Sequence, residues 1–169
     1  MRPMKRTTLR VAAAGLALIW AGAAHAECAD PGRPGVDWRR CILDQQDLVG
    51  VDLTGANLRD SSFARADMTK ARLANINGFG AKFLSTKLAG AVFDNARLEA
   101  ADFTKADLTG ASFQHADLRR AVLFRAVLRN ANLTGSQLRD TEFSDADFTG
   151  ATWMDGKTIC GEGSIGKCR

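Results

Sequence analysis

The side chains best suited to chemistry are few. The chain holds four cysteines, Cys28, Cys41, Cys160 and Cys168, two histidines, His25 and His115, and no tyrosine. A zinc site draws its ligands from closely spaced pairs such as C-x2-C, and no such pair occurs. General acid–base work falls most often to His, yet His115 stands alone and reads as a surface residue. Ser, Thr, Asp and Glu are abundant, but they recur at regular outward positions with no base set beside them. The Gly-rich tail from Gly161 to Cys168 does not match the phosphate-cradling G-x4-G-K-[ST] loop. The expectation is a non-enzymatic chain, with no catalytic residue, no metal and no cofactor.

The N-terminus gives the cysteines their context. Arg2, Lys5, Arg6 and Arg10 form a positive head, Val11 to Ala21 an apolar run too short to span a bilayer comfortably, and Ala24-His25-Ala26 a small-residue cleavage site. That is the layout of a secretory signal peptide. Cleavage after Ala26 would remove those four positive charges and no negative ones, leaving basic and acidic side chains in equal number, so the formal charge of +4 belongs to the leader. An exported chain with an even cysteine count reads as disulfide-bonded. The expected compartment is the periplasm, with secretion as the other route, and no membrane span remains in the mature form.

From Cys41 to Asp155 the sequence repeats every five residues. Twenty-three consecutive pentads have as their centres Leu43, Leu48, Leu53 and so on to Trp153; 22 centres are large and apolar, Gly78 being the exception. Two residues before the centre, Ala occurs in 15 of the 23. A helix would carry such a repeat round its circumference, and a strand would send alternate centres to opposite faces. The chain must therefore turn after each pentad, which is the mark of stacked repeats. Four pentads per turn align Phe63 with Phe83, Phe83 with Phe103, and Phe93 with Phe113. The same spacing juxtaposes eight opposite-charge pairs against three like pairs, among them Asp52/Arg72, Asp67/Lys87, Glu99/Arg119, Arg120/Asp140 and Arg125/Asp145. A spacing of 15 gives four against six. Gly78 interrupts the core ladder, and a local bulge is expected there, refilled by Ile76 or Phe79.

The units Ala106-Asp107-Leu108-Thr109-Gly110 and Ala131-Asn132-Leu133-Thr134-Gly135 follow A-(D/N)-L-x-x, and the chain resembles the pentapeptide-repeat family over Cys41 to Asp155. The resemblance implies an all-β fold, a right-handed quadrilateral β-helix or pentapeptide-repeat solenoid of about six coils. At the strand spacing of about 4.8 Å the rod would be roughly 28 Å long. Bridged cysteines need Cα atoms within about 7 Å, so that length separates the ends and favours Cys28–Cys41 and Cys160–Cys168. The entry P-G-V-D-W and the exit W-x-D-G...G-S-I-G-x-C look like the ends of exported bacterial members, with Trp38 and Trp153 as lids over the open core. The expected division is a signal peptide at 1–26, an N-terminal cap at 27–40, the repeats at 41–155 and a disulfide-closed cap at 156–169.

Some relatives in this family imitate DNA to protect gyrase. That reading needs a concentrated negative surface, which alternating charges do not supply, and no nucleic acid partner is expected. A basic cluster at Arg119, Arg120, Arg125 and Arg129 is largely offset by Glu99, Asp140 and Asp145 one coil away. Val122, Phe124 and Val127 occupy outward positions where the pattern expects polar residues, and Leu84 shares a face with Phe124. These four form a candidate patch for a protein partner or for self-association.

Overall fold

The computed structural model describes residues 28–169; the expected signal segment at 1–26 lies outside the described residues. Each pentad follows one hydrogen-bonding scheme. In residues 71–75 the Ala71 amide donates to the Met68 carbonyl (3.0 Å), Arg72 to Val51 (2.8 Å), Leu73 to Val92 (2.7 Å) and Asn75 to Asp94 (2.9 Å). The first bond closes a turn; the others reach the coils on either side. The remaining amide, just after the centre, is often satisfied by Asp or Asn two residues earlier, as where Thr54 N donates to Asp52 Oδ1 at 3.0 Å. This local capture, an Asx-type bond, is the physical reason for the D/N position of the repeat.

The residue before each centre bridges its counterpart twenty positions on, as in Asp52 to Arg72 to Val92 to Ser112 to Asn132 to Thr152. Four pentads therefore complete each coil. The expected fold class is corrected by the same pairing. Among the described residues there is no helix, strand or sheet; all twenty parallel and two antiparallel pairings are isolated single-residue bridges. Two residues of every five are spent in a turn, which leaves a segment too short to propagate a ladder, whereas strands usually run for 3–10 residues. The chain is a stack of turn-built coils and not an all-β β-helix solenoid.

The corners carry strain. The second residue after each centre, as far as Phe148, has φ near +60°, and sixteen positive-φ positions are not glycine, including Arg65, Ala100 and Lys105. Ala100, at φ 59°, has neither glycine's freedom nor a polar side chain to bond locally. The left-handed region costs an L-residue about 1–2 kcal/mol, against roughly 0.4–1 kcal/mol of extra chain entropy lost by glycine. Ala100→Gly should therefore raise stability by about 0.5–1 kcal/mol, read as a higher urea midpoint at unchanged slope.

Inside, the centres form columns. Phe63, Phe83 and Phe103 stack at centroid distances of 5.3 and 4.9 Å, and Phe93 stacks on Phe113 at 4.9 Å. The two columns meet edge to face, as in Phe93–Phe103 at 5.7 Å and 89°. Such pairs add about 0.5–1.5 kcal/mol beyond area burial. Ala two places before the centre is buried throughout, from Ala56 to Ala151.

The expected bulge at Gly78 is absent. The pattern of bridges and amide bonds runs through Asn77, Gly78 and Ala81 unchanged. The missing side chain is replaced instead by Ile76 at the usual alanine position. A Cβ added to Gly78 would lie 3.4 Å from Ile76 Cδ1 and 2.9 Å from Leu98 Cδ2. Phe79 takes no part, since its half-buried ring sits outside under the Arg59 guanidinium at 4.6 Å.

Candidate functional site

The two ends are tied by disulfides, Cys28–Cys41 with Cα atoms 5.4 Å apart and Cys160–Cys168 at 4.9 Å. Trp38 is buried, packs on Phe63 at 6.4 Å, and donates its Nε1 proton to the Asp30 carbonyl at 3.2 Å. Trp153 is half-buried and meets Phe148 edge to face at 5.4 Å. Residues after Gly156 fold back, pairing Ile159 with Thr152 and Ile165 with Asp147 in antiparallel bridges. The ends also hold the most exposed aliphatic side chains, Ile42 at 77% and Val49 at 57% near the start, Ile159 at 59% near the finish. Sequence reasoning missed Ile42 and Val49 although the signal was there, since both stand at outward positions that polar residues fill in most other pentads.

Between the ends, charges face one another across coils. Arg72–Asp52 (3.6 Å), Lys87–Asp67 (3.1 Å), Arg119–Glu99 (3.5 Å) and Arg125–Asp145 (3.2 Å) form as the twenty-residue spacing implies. Arg120 does not reach Asp140; it turns to Glu99 at 3.2 Å, and the two arginines share that carboxylate. Other ion pairs lie outside the coil-spacing rule, including the local pairs Arg33–Asp30, Arg39–Asp37 and Arg59–Asp60. Arg129 meets Asp147 on the following coil at 2.6 Å, and Arg119 chelates Asp117 within one pentad through contacts of 2.7 and 2.6 Å. The Arg119–Asp117 contact, like Arg39–Asp37, could have been found from the two-residue alternation that puts both neighbours of an inward centre on the outer side. Exposed pairs of this kind contribute only about 0–1 kcal/mol each. Arg119, Arg120 and Arg139 line a shallow cleft together with Glu99 and Asp140, so even the basic cluster is interleaved with carboxylates.

Several carboxylates are held below their ordinary range. The Thr54 hydroxyl and amide lower Asp52, the Thr69 hydroxyl and amide lower Asp67, and the Arg119 guanidinium lowers Asp117. Hydrogen bonds from the Thr158 hydroxyl and amide bring Asp155 to about 2. A depressed folded pKa contributes stability above the unfolded value of about 3.9 and loses it as pH falls through the folded value. The unfolding midpoint should therefore be flat above pH ~5 and fall between about 4 and 2. Asp155→Ala should lessen that fall, measured by denaturant titrations across the acid range.

The four candidate patch residues, Leu84, Val122, Phe124 and Val127, are all half-buried on the outer side. Leu84 and Phe124 share one face, two coils apart, and Val127 stands on the next. Val122 bridges Asp102 and Glu142, and Val127 bridges Asp107 and Asp147, so each valine lies between acidic residues. Arg125 covers the Phe124 ring at 4.9 Å. His115 is exposed, its ring against the Gly135 backbone, where an added Cβ would collide with Nδ1. Among the described residues no three His, Cys, Asp or Glu side chains are grouped to hold a metal, and no helix is long and apolar enough to cross a membrane.

Coils built from five-residue units with an inward centre, an alanine two places before it and a left-handed corner define a repeat protein of pentad type. The profile described as Pentapeptide repeats matches residues 41–77, 86–124 and 116–152, and the chain belongs to that family. Among solved structures it is similar to HetL, a pentapeptide repeat protein involved in heterocyst differentiation regulation from the cyanobacterium Nostoc sp. strain PCC 7120, at 32% identity over 73% of this chain and 62% of that one, with a TM-score of 0.45. QnrB1, a plasmid-mediated fluoroquinolone resistance protein, matches at 21% identity over 70% and 63%, with a TM-score of 0.38. A pentapeptide repeat protein of the Arabidopsis thaliana thylakoid lumen matches at 25% identity over 71% and 73%, with a TM-score of 0.28. The chain thus spans less than two thirds of HetL and of QnrB1. No curated protein sequence matches it.

Proposed function

We propose that the chain is an exported, non-enzymatic module that binds a partner protein through the face carrying Phe124, and that it works in the periplasm. The observation that carries this reading is the Phe124–Arg125 pair, an aromatic ring covered by a guanidinium on the face that also carries Leu84. Aromatic and Arg side chains dominate the binding energy of protein interfaces. Two disulfides support an oxidising compartment. In this reading residues 1–26 are a removable leader, and the segments 27–40 and 156–169 are caps that close the core with Trp38 and Trp153. Chemistry at a repeat protein's surface would need a break in the pattern, and outward Asp and Thr side chains are engaged locally, as where Asp67 Oδ1 accepts from both the amide and the hydroxyl of Thr69. Imitation of a polyanion is the weaker alternative, because acids and bases alternate from coil to coil.

The test is proximity labelling in the native periplasm with the wild-type chain and with Phe124→Asp. Labelled neighbours that disappear in the variant support the reading. An identical set of neighbours for both proteins contradicts it.

A further inference from the structure

Phe124 belongs to a longer row. On its face the residues that follow the inward centres run Asp44, Ala64, Leu84, Thr104, Phe124 and Ser144, one per coil, and the four from Ala64 to Phe124 are half-buried and uncharged. Beside them runs a corner. The Arg65 amide donates to the Leu84 carbonyl, Ser85 to Thr104, and Lys105 to Phe124, each at 2.9 Å. Those bonds fix the corner residues Arg65, Ser85, Lys105 and Arg125 in a second row alongside the first. All four share the left-handed conformation, with φ between 54° and 60°, and all four are exposed.

Three of the four corner residues are cationic. Arg125 is bound to Asp145 at 3.2 Å. Arg65 and Lys105 take part in no ion pair among the described residues. The acids nearby are engaged: Asp44 Oδ1 accepts the Ser62 hydroxyl and the Ala64 amide at 2.6 and 2.9 Å, and Asp102 Oδ1 accepts the Thr104 amide at 2.9 Å. The bridging row on the other side, Ser62, Lys82, Asp102 and Val122, adds one charge of each sign. The result is an uncharged stripe across four coils with two unpaired cations, Arg65 and Lys105, along one border, unlike the interleaved cleft around Glu99.

From this charge pattern we infer that the stripe receives an acidic segment of a partner polypeptide. Apolar side chains of the segment would rest on Leu84 and Phe124, two coils or roughly 10 Å apart at the bridge spacing, while its carboxylates face Lys105 and Arg65. The inference rests on the proposed binding role of this face and names the chemistry of the partner. Opposite charges across such a contact set specificity and association rate, and the apolar row supplies the buried area.

The probe is a displayed random-peptide library selected on the immobilised chain with its disulfides intact. The inference expects enriched peptides in which Asp and Glu outnumber Lys and Arg and flank apolar residues. A labelled peptide from that pool should lose about tenfold in affinity to Arg65→Glu with Lys105→Glu, two exposed corner positions whose exchange leaves the core untouched. Lys70→Glu, at a different corner, should leave affinity unchanged, and Phe124→Asp should weaken it. Enriched peptides that need Phe124 but are neutral or basic, or that ignore the Arg65 and Lys105 reversals, overturn the inference while leaving the binding role standing. Failure to enrich any Phe124-dependent peptide overturns both.

Discussion

Replacing Phe103 with Ala is expected to cost about 3–5 kcal/mol, the largest loss from any single truncation in the stack. The ring is fully buried, stacks on Phe83 at 4.9 Å and meets Phe93 and Phe113 edge to face at 5.7 and 6.0 Å. The aromatic packing of several coils thus passes through one residue, and the straight backbone offers no route by which neighbours could close the void. In a repeat array each unit is stabilised mainly by its neighbours, so the damage should also be spatial. Trp38 and Trp153 report the two ends, and Trp→Phe variants isolate each signal. In the parent protein both should unfold together in urea. In Phe103→Ala the two midpoints should separate, and coincident midpoints at a loss below about 1 kcal/mol would contradict the role given to this column.

The second large effect concerns Ile76 and Gly78, where the repeat has exchanged its small and large positions. Ile76→Ala restores the usual alanine but empties the slot, and should cost about 2–5 kcal/mol. Gly78→Leu alone overfills it, since even a Cβ there would lie 2.9 Å from Leu98 Cδ2 and 3.4 Å from Ile76 Cδ1; overpacking of this kind costs about 1–3 kcal/mol. Together the two changes rebuild the ordinary A-x-L unit, so the double variant should return to within about 1 kcal/mol of the parent. Strict additivity of the two losses in a double-mutant cycle would show that Ile76 is not the substitute for the missing centre.

Much of this was legible because the signal is spatially redundant. Phe63, Phe83 and Phe103 stand twenty apart, so like side chains announce the length of a coil. Element type was less accessible. The inference from family resemblance to a β-helix treats each pentad as a short strand, but two of every five residues turn and only the residue before the centre, such as Arg72 or Asp107, bridges at all. The corner conformation was invisible for a related reason. Arg, Lys and Ala avoid positive φ in isolation, and at Arg65, Lys105 and Ala100 the closing of the coil overrides that preference. On the surface, spacing identified Asp67–Lys87 and Arg125–Asp145 but misassigned Arg120, whose long side chain reaches Glu99 on the preceding coil more readily than Asp140 on the next. Side-chain reach, unlike backbone register, is not periodic.

The twenty-residue bridge spacing has a consequence for how such chains change length. Removing four consecutive pentads, for instance residues 81–100, would shorten the stack by one storey and leave every later side chain pointing along its original bearing. Removing a single pentad would instead swing everything above the deletion through a quarter turn. The number of pentads, counted modulo four, therefore acts as an angular index between the two disulfide-tied ends, and a surface spread over several coils survives only those insertions and deletions that return this index to its starting value.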